Sequence, residues 1–205
     1  MKAVNALFIV LSIAILTIAF QLTSPLLSRQ GTAVAETMTN QGPQVVKMSE
    51  FLTYKQYKML AFAYEIAKQD GIQHPSYLQG ILMQESRACN VKHYRVAGLT
   101  NKVGDRYFGA VQLKLAAAKD VLKRYPELLQ YLDTNTDEEI QAKLILDDEF
   151  NIRVGSKYLL MLGINEKPDL AITAYNQGVS GAKGINPKTF HYTKAVNKYF
   201  KELNS

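Results

Sequence analysis

The stretch Tyr77-Leu78-Gln79-Gly80-Ile81-Leu82-Met83-Gln84-Glu85-Ser86 decides how this chain is read. At helical spacing Leu78, Ile81, Leu82 and Glu85 fall on one face, at i, i+3, i+4 and i+7. A carboxylate therefore stands where the pattern asks for an apolar side chain. Burial there disfavours the charged form and raises the pKa. A carboxylic acid still protonated near neutral pH is what a general acid requires. The plainer alternative is that Glu85 marks the end of the helix, where the stripe reaches solvent, because glutamates are seldom buried unless paired.

Outward from this stretch the pattern stays helical. Residues 50–70 form a first helix that stops at Gly71. Pro75 suits the first turn of the helix that carries Glu85. Residues 88–108 hold Gly98, Gly104 and mixed polar side chains and read as a long loop, a feature that is usually functional inside a compact domain. A helix follows over 113–124, and Pro126 opens a short segment. Thr136-Asp137-Glu138-Glu139 has the form of a capping box before Ile140, Leu144 and Leu146. Further helices fit 150–162, 167–176 and 187–203. No segment alternates with period two, so the expected fold is all-α with little or no sheet.

Composition narrows the function classes. The chain has 205 residues, room for one domain plus extras, and its 47% apolar and 20% charged shares are ordinary for a globular protein. The formal net charge is +6; residues 1–35 supply Lys2 and Arg29 and no acid, which leaves 22 basic and 18 acidic residues in the remainder. That mild excess suits an anionic polymer or surface. No dense Lys/Arg run or nucleic-acid signature is present, so nucleic acid is not an expected partner.

Lys2 followed by the uncharged, apolar residues 6–20 reads as an export signal. Fifteen residues at about 1.5 Å each fall short of a ~30 Å hydrocarbon core. Ala33-Val34-Ala35 has the small-x-small form of a cleavage site. The expected organisation is a signal peptide over 1–35 (or an uncleaved anchor, the one expected membrane contact), a linker over 36–47, and a folded domain over 48–205. The body of the protein is then exported, periplasmic or otherwise associated with the cell envelope.

Cys89 is the only cysteine, so no internal disulfide forms. It reads as a small packed residue rather than a nucleophile, since a free thiol is a poor choice outside the cytoplasm. His74, His93 and His191 show no metal-ligand spacing, and neither a metal nor another cofactor is expected.

Four segments in order carry a resemblance: Glu85-Ser86 closing an apolar helix, Gly109-Ala110-Val111-Gln112-Leu113 after the loop, Asn151 to Leu159, and Ala171-Ile172-Thr173-Ala174-Tyr175-Asn176-Gln177-Gly178. Together they resemble the lytic transglycosylase domain of the soluble type, related to goose-type lysozymes, over residues 76–199. The resemblance implies a lysozyme-like helical domain with a groove for peptidoglycan glycan strands. It implies cleavage between N-acetylmuramic acid and N-acetylglucosamine without water, leaving a 1,6-anhydro end. Glu85 matches the catalytic glutamate. Ser86, Gln112, Tyr175, Asn176 and Tyr192 match substrate-binding positions. Tyr175 is expected to hydrogen-bond Glu85, Gln112 to face the groove, and Ser86 to hold substrate or orient the loop, or else simply to cap the helix end. Residues 151–159 are expected to pack in the core, with Gly155 allowing a close helix approach.

Two departures from the family pattern stand out. Ala110-Val111 replaces a bulkier apolar pair, which leaves fewer apolar atoms expected beside the subsite. The 27 residues from Glu85 to Gln112 enlarge the loop, where Lys92, His93, Arg95, Lys102 and Arg106 face one acid, Asp105, and suggest a basic lip. Two other readings remain open. A hydrolytic muramidase would need a second carboxylate, for which Asp105 is the candidate. A non-catalytic glycan-binding module is the other. Secretion, conjugation or pilus machinery are the possible protein partners.

Overall fold

Thr53-x-x-Gln56 is the device that starts the first helix. The Thr53 hydroxyl accepts from the Gln56 amide at 3.3 Å, and the Gln56 side chain accepts from the Thr53 amide at 2.9 Å. This is a reciprocal capping box. The computed structural model describes residues 52–90, the backbone of 96–97, and 106–205. The expected signal segment 1–35, the linker 36–47, Asp105 and most of the basic lip lie outside the described residues.

The described chain is mostly helical, of the all-α class. In order it comprises α1 (Tyr54–Gln69), α2 (Ser76–Ser86), β1 (Val96–Ala97), β2 (Tyr107–Phe108), α3 (Leu115–Arg124), a 3₁₀ segment Pro126–Tyr131, α4 (Asp137–Leu146), α5 (Asp148–Met161), α6 (Pro168–Gly181) and α7 (His191–Asn204). The strands form one antiparallel pair, with Val96 opposite Phe108 and Ala97 opposite Tyr107. The expected long loop thus contains a short hairpin.

Several helix ends differ from the sequence expectation. The last helix begins at His191 rather than 187, because the carbonyl of Asn186 accepts from the amides of Thr189 and Phe190 in a turn that has to finish first. α6 runs past Asn176 to Gly181 and breaks at Gly178, whose φ of 74° suits glycine. At α4 the Thr136 hydroxyl accepts from the Glu139 amide at 3.3 Å, as expected. The Glu139 carboxylate does not return to Thr136. It reaches further back, to the amides of Asp133 and Thr134.

The site is positioned by α2, and α2 is buried on nearly every side rather than along a stripe: Leu78, Ile81 and Leu82 are each fully buried. Such burial stabilises the fold by roughly 1.5–3 kcal/mol per side chain. α7 runs antiparallel along it. The rings of Tyr77 and Phe200 stack at 4.3 Å, and Ser76 donates to Asn204 at 3.2 Å. Gly80 permits this approach: a Cβ there would lie 3.0 Å from the Val196 carbonyl oxygen.

Candidate functional site

Antiparallel packing of α2 and α7 brings Glu85, next to last in α2, against Tyr192 in the first turn of α7. The Tyr192 hydroxyl donates to Glu85 Oε1 at 2.5 Å. Burial pushes the Glu85 carboxyl up to about 7, against the opposing effect of the Tyr192 hydrogen bond, which favours the charged form. Tyr192 is itself buried. That burial and the neighbouring Glu85 charge hold its phenol well above the ordinary range, so it remains a donor.

Replacing Tyr192 by phenylalanine removes the one hydrogen bond that favours the Glu85 carboxylate. The Glu85 pKa is expected to rise above about 7, and carbon-13 NMR titration of the carboxyl carbon checks it. An unchanged or lower midpoint would show that Tyr192 does not hold the anion.

The turn after α2 is built from three successive left-handed residues, Arg87 (φ 48°), Ala88 (φ 53°) and Cys89 (φ 65°). Left-handed backbone costs a non-glycine residue about 1–2 kcal/mol. Hydrogen bonds from both of its sides hold this turn. Ser86 Oγ donates to the Leu82 carbonyl at 3.2 Å and accepts from the Cys89 amide at 3.0 Å. The Arg87 carbonyl accepts from Gln56 Nε2 at 2.9 Å, and the Ala88 amide donates back to Leu82. Ser86 is fully buried and shapes this turn. Its hydroxyl both closes the helix end and orients the turn that follows. Cys89 is buried too, and burial pushes its thiol up to about 12, the opposite of an activated nucleophile.

A second turn, residues 108–113, lies against α5 and α6. Phe108 and Leu113 exchange amide-to-carbonyl bonds at 2.9 and 3.0 Å across it. Gly109 (φ 74°) and Gln112 (φ 53°) take left-handed conformations. All four non-glycine residues with positive φ among the described residues therefore fall in this turn or directly after Ser86. Such backbone tends to cluster at functional sites.

Asn151, fully buried on α5, clamps the turn from below. Its Nδ2 donates to the carbonyls of Phe108 (2.9 Å) and Leu144 (3.2 Å), and its Oδ1 accepts from the Val111 amide at 2.8 Å. Gly109 is required beside it, since a Cβ would stand 2.1 Å from the Leu144 oxygen.

Tyr175, on α6, does not hydrogen-bond Glu85 as expected. Its hydroxyl donates to the Val111 carbonyl at 2.7 Å, and a phenol has one proton to give. The Glu85 charge still reaches it: burial first, then Glu85, raises its pKa well above the usual value. Tyr175 thus couples the 108–113 turn to the carboxylate, while Tyr192 takes the direct bond.

Gln112 is almost fully buried and folds its Nε2 back onto the Gly109 carbonyl at 2.8 Å, which stiffens the turn. Asn176 is half-buried, with Oδ1 accepting from Gln177 Nε2 at 2.6 Å. Ala110 and Val111 are fully buried, so the smaller pair packs into the core and does not flank an exposed subsite. Gly155 meets the Val111 side chain, 2.6 Å from a built Cβ, so what it admits is this turn rather than a helix.

The structure thus brings Glu85, Tyr192 and Tyr175 together. Gln112 and Ser86 become parts of the turns on either side. Gln56 was not singled out from the sequence, although the Thr53-x-x-Gln56 spacing is a usable signal. Asn151 was placed in a core segment, but its role as a clamp on the 108–113 turn was not.

No family model matches the chain, and no curated protein or solved structure is significantly similar to it.

Proposed function

We propose that this chain is a peptidoglycan lytic transglycosylase with Glu85 as its single acid–base group. One observation supports this above the others: a half-buried carboxyl, raised by desolvation to about 7 and held by a tyrosine donor at 2.5 Å. A group that must first give and then take the same kind of proton works best with a pKa near the operating pH. Among the described residues, the shift is raised by burial and opposed by the Tyr192 hydrogen bond.

In the proposed reaction, protonated Glu85 donates to the oxygen that leaves C1 of N-acetylmuramic acid as the C1–O bond breaks. The substrate's acetamido oxygen bonds to C1 and takes up the positive charge, as in substrate-assisted glycosidases. The Glu85 carboxylate then accepts the proton of the C6 hydroxyl. The C6 oxygen attacks C1, the acetamido oxygen departs, and the 1,6-anhydro ring closes with no water consumed. Tyr192 keeps the carboxylate aimed between these two proton transfers. This reading places the protein at the cell envelope and makes glycan strands its partner.

Digestion of purified peptidoglycan, followed by mass spectrometry, tests it. Muropeptides lighter by one water than hydrolytic products are the expected outcome. Ordinary reducing ends would replace the reading with a muramidase, and no cleavage at all would leave a binding module.

A further inference from the structure

A cleft of about 460 Å³ opens at the other end of α2, and Glu85 does not line it. Its apolar wall is Tyr77, Pro168, Leu170 and Pro187, with Leu170 41% exposed. Lys167 and Lys188 stand at its edge, both exposed. Among the described residues no ion pair engages either lysine. The one acid lining the cleft, Asp169, already accepts from Asn197 Nδ2 at 2.8 Å. Lys188 also lines a neighbouring cleft with Lys194, Lys198 and Lys201, where only Lys198 is paired, with Glu202 at 3.8 Å. The surface therefore combines an apolar wall with an excess of positive charge. It fits a short chain of small apolar groups that carries several carboxylates.

We infer that this cleft binds the acidic peptide arm of the peptidoglycan whose glycan strand the proposed site cuts. The inference rests on that reading of the site for the source of the peptide, and on the cleft itself for its chemistry. Separation supports the assignment. Tyr77 precedes Glu85 by eight residues of the same helix, about 12 Å at 1.5 Å per residue. A tetrapeptide extended at about 3.3 Å per residue just crosses that distance, so its far end is the part that enters the cleft. The lysines select carboxylates at the edge. Asn186, which also lines the cleft, supplies an amide that can pair with a peptide bond.

The test uses the purified full chain and three probes: the N-acetylated tetrapeptide arm (Ala, γ-linked D-Glu, diaminopimelate, D-Ala), the disaccharide without peptide, and an L-alanine/L-glutamate peptide of equal charge. Nitrogen-15 NMR reads where each binds. The peptide arm is expected to shift the amides of Tyr77 and Leu170. Charge reversal of the two exposed lysines, Lys167→Glu with Lys188→Glu, is expected to weaken it at least ten-fold with the spectrum otherwise intact.

Shifts confined to other residues, or an affinity untouched by the double variant, would overturn the inference. Equal binding of the L-peptide would reassign the cleft to an acidic segment of a partner protein. Because binding is read without cleavage, a chain that binds the arm but releases no anhydro products leaves the cleft standing and removes the proposed enzyme.

Discussion

Glu85→Gln is expected to lower the release of anhydro-muropeptides at least a thousand-fold and, at the same time, to make the folded protein more stable above pH 7. The first effect follows from the proposed role. Glutamine keeps the size of the side chain and an acceptor for Tyr192 but has no proton to exchange, and a positioned acid–base group is worth about 10²–10⁴ in rate. With one residue serving both steps, the loss lies at the upper end.

The second effect follows from linkage. Below about 4.5 the carboxyl is protonated whether the chain is folded or not. Between about 4.5 and about 7 the folded state holds a proton that the unfolded state has released, so stability falls as pH rises. Above about 7 the folded protein carries a partly desolvated carboxylate at a cost of about 3 kcal/mol, and the cost no longer changes. Glutamine removes this cost and flattens that part of the profile. Urea midpoints for both proteins at pH 5 and pH 8 would show it. A variant no more stable at pH 8 would mean that Glu85 is not held protonated by burial, and the acid–base argument would lose its ground. Loss of activity with gain of stability is the usual mark of a functional group kept in a poor environment.

Asn151→Ala is expected to destabilise the protein by about 3–4 kcal/mol, since the Val111 amide is left buried without a partner and the Phe108 and Leu144 carbonyls each lose a donor. Phe108 keeps its bond from the Leu113 amide, so its share is smaller. For a domain of this size the change lowers Tm by about 10 °C, readable by circular dichroism. Ser156 provides the contrast on the same helix. It is fully buried, and among the described residues its hydroxyl has no hydrogen-bond partner, so Ser156→Ala is expected to be neutral or slightly stabilising. Equal losses from both variants would mean that α5 responds to cavity size and that Asn151 is not a clamp. The Asn151 variant is also expected to loosen the turn that Tyr175 grips, and to lower activity below what the folded fraction accounts for.

The helices were legible because their signals are local. The 3.6-residue period, Gly71, Pro75 and the Thr136 cap each act within a turn or two of chain. Glu85 was legible for the same reason, as a carboxylate out of place on an apolar face. The partners of Glu85 were not. Tyr175 and Tyr192 both look like tyrosines on amphipathic helices, and only the family resemblance assigned the carboxylate bond to the first. The structure gives it to the second, because α7 runs antiparallel to α2 and delivers Tyr192 across 107 residues of chain, while Tyr175 is drawn 64 residues back to Val111.

Sequence by itself thus determined an all-helical chain and the one carboxylate placed for burial, because side-chain periodicity and capping are properties of neighbouring residues. Tertiary structure alone decided which hydroxyl holds Glu85, that Ser86 and Gln112 turn inward to brace the backbone, and that Asn151 clamps a turn 40 residues away. Those choices depend on how helices cross and which buried backbone groups still need a partner, and neither is written in any one segment.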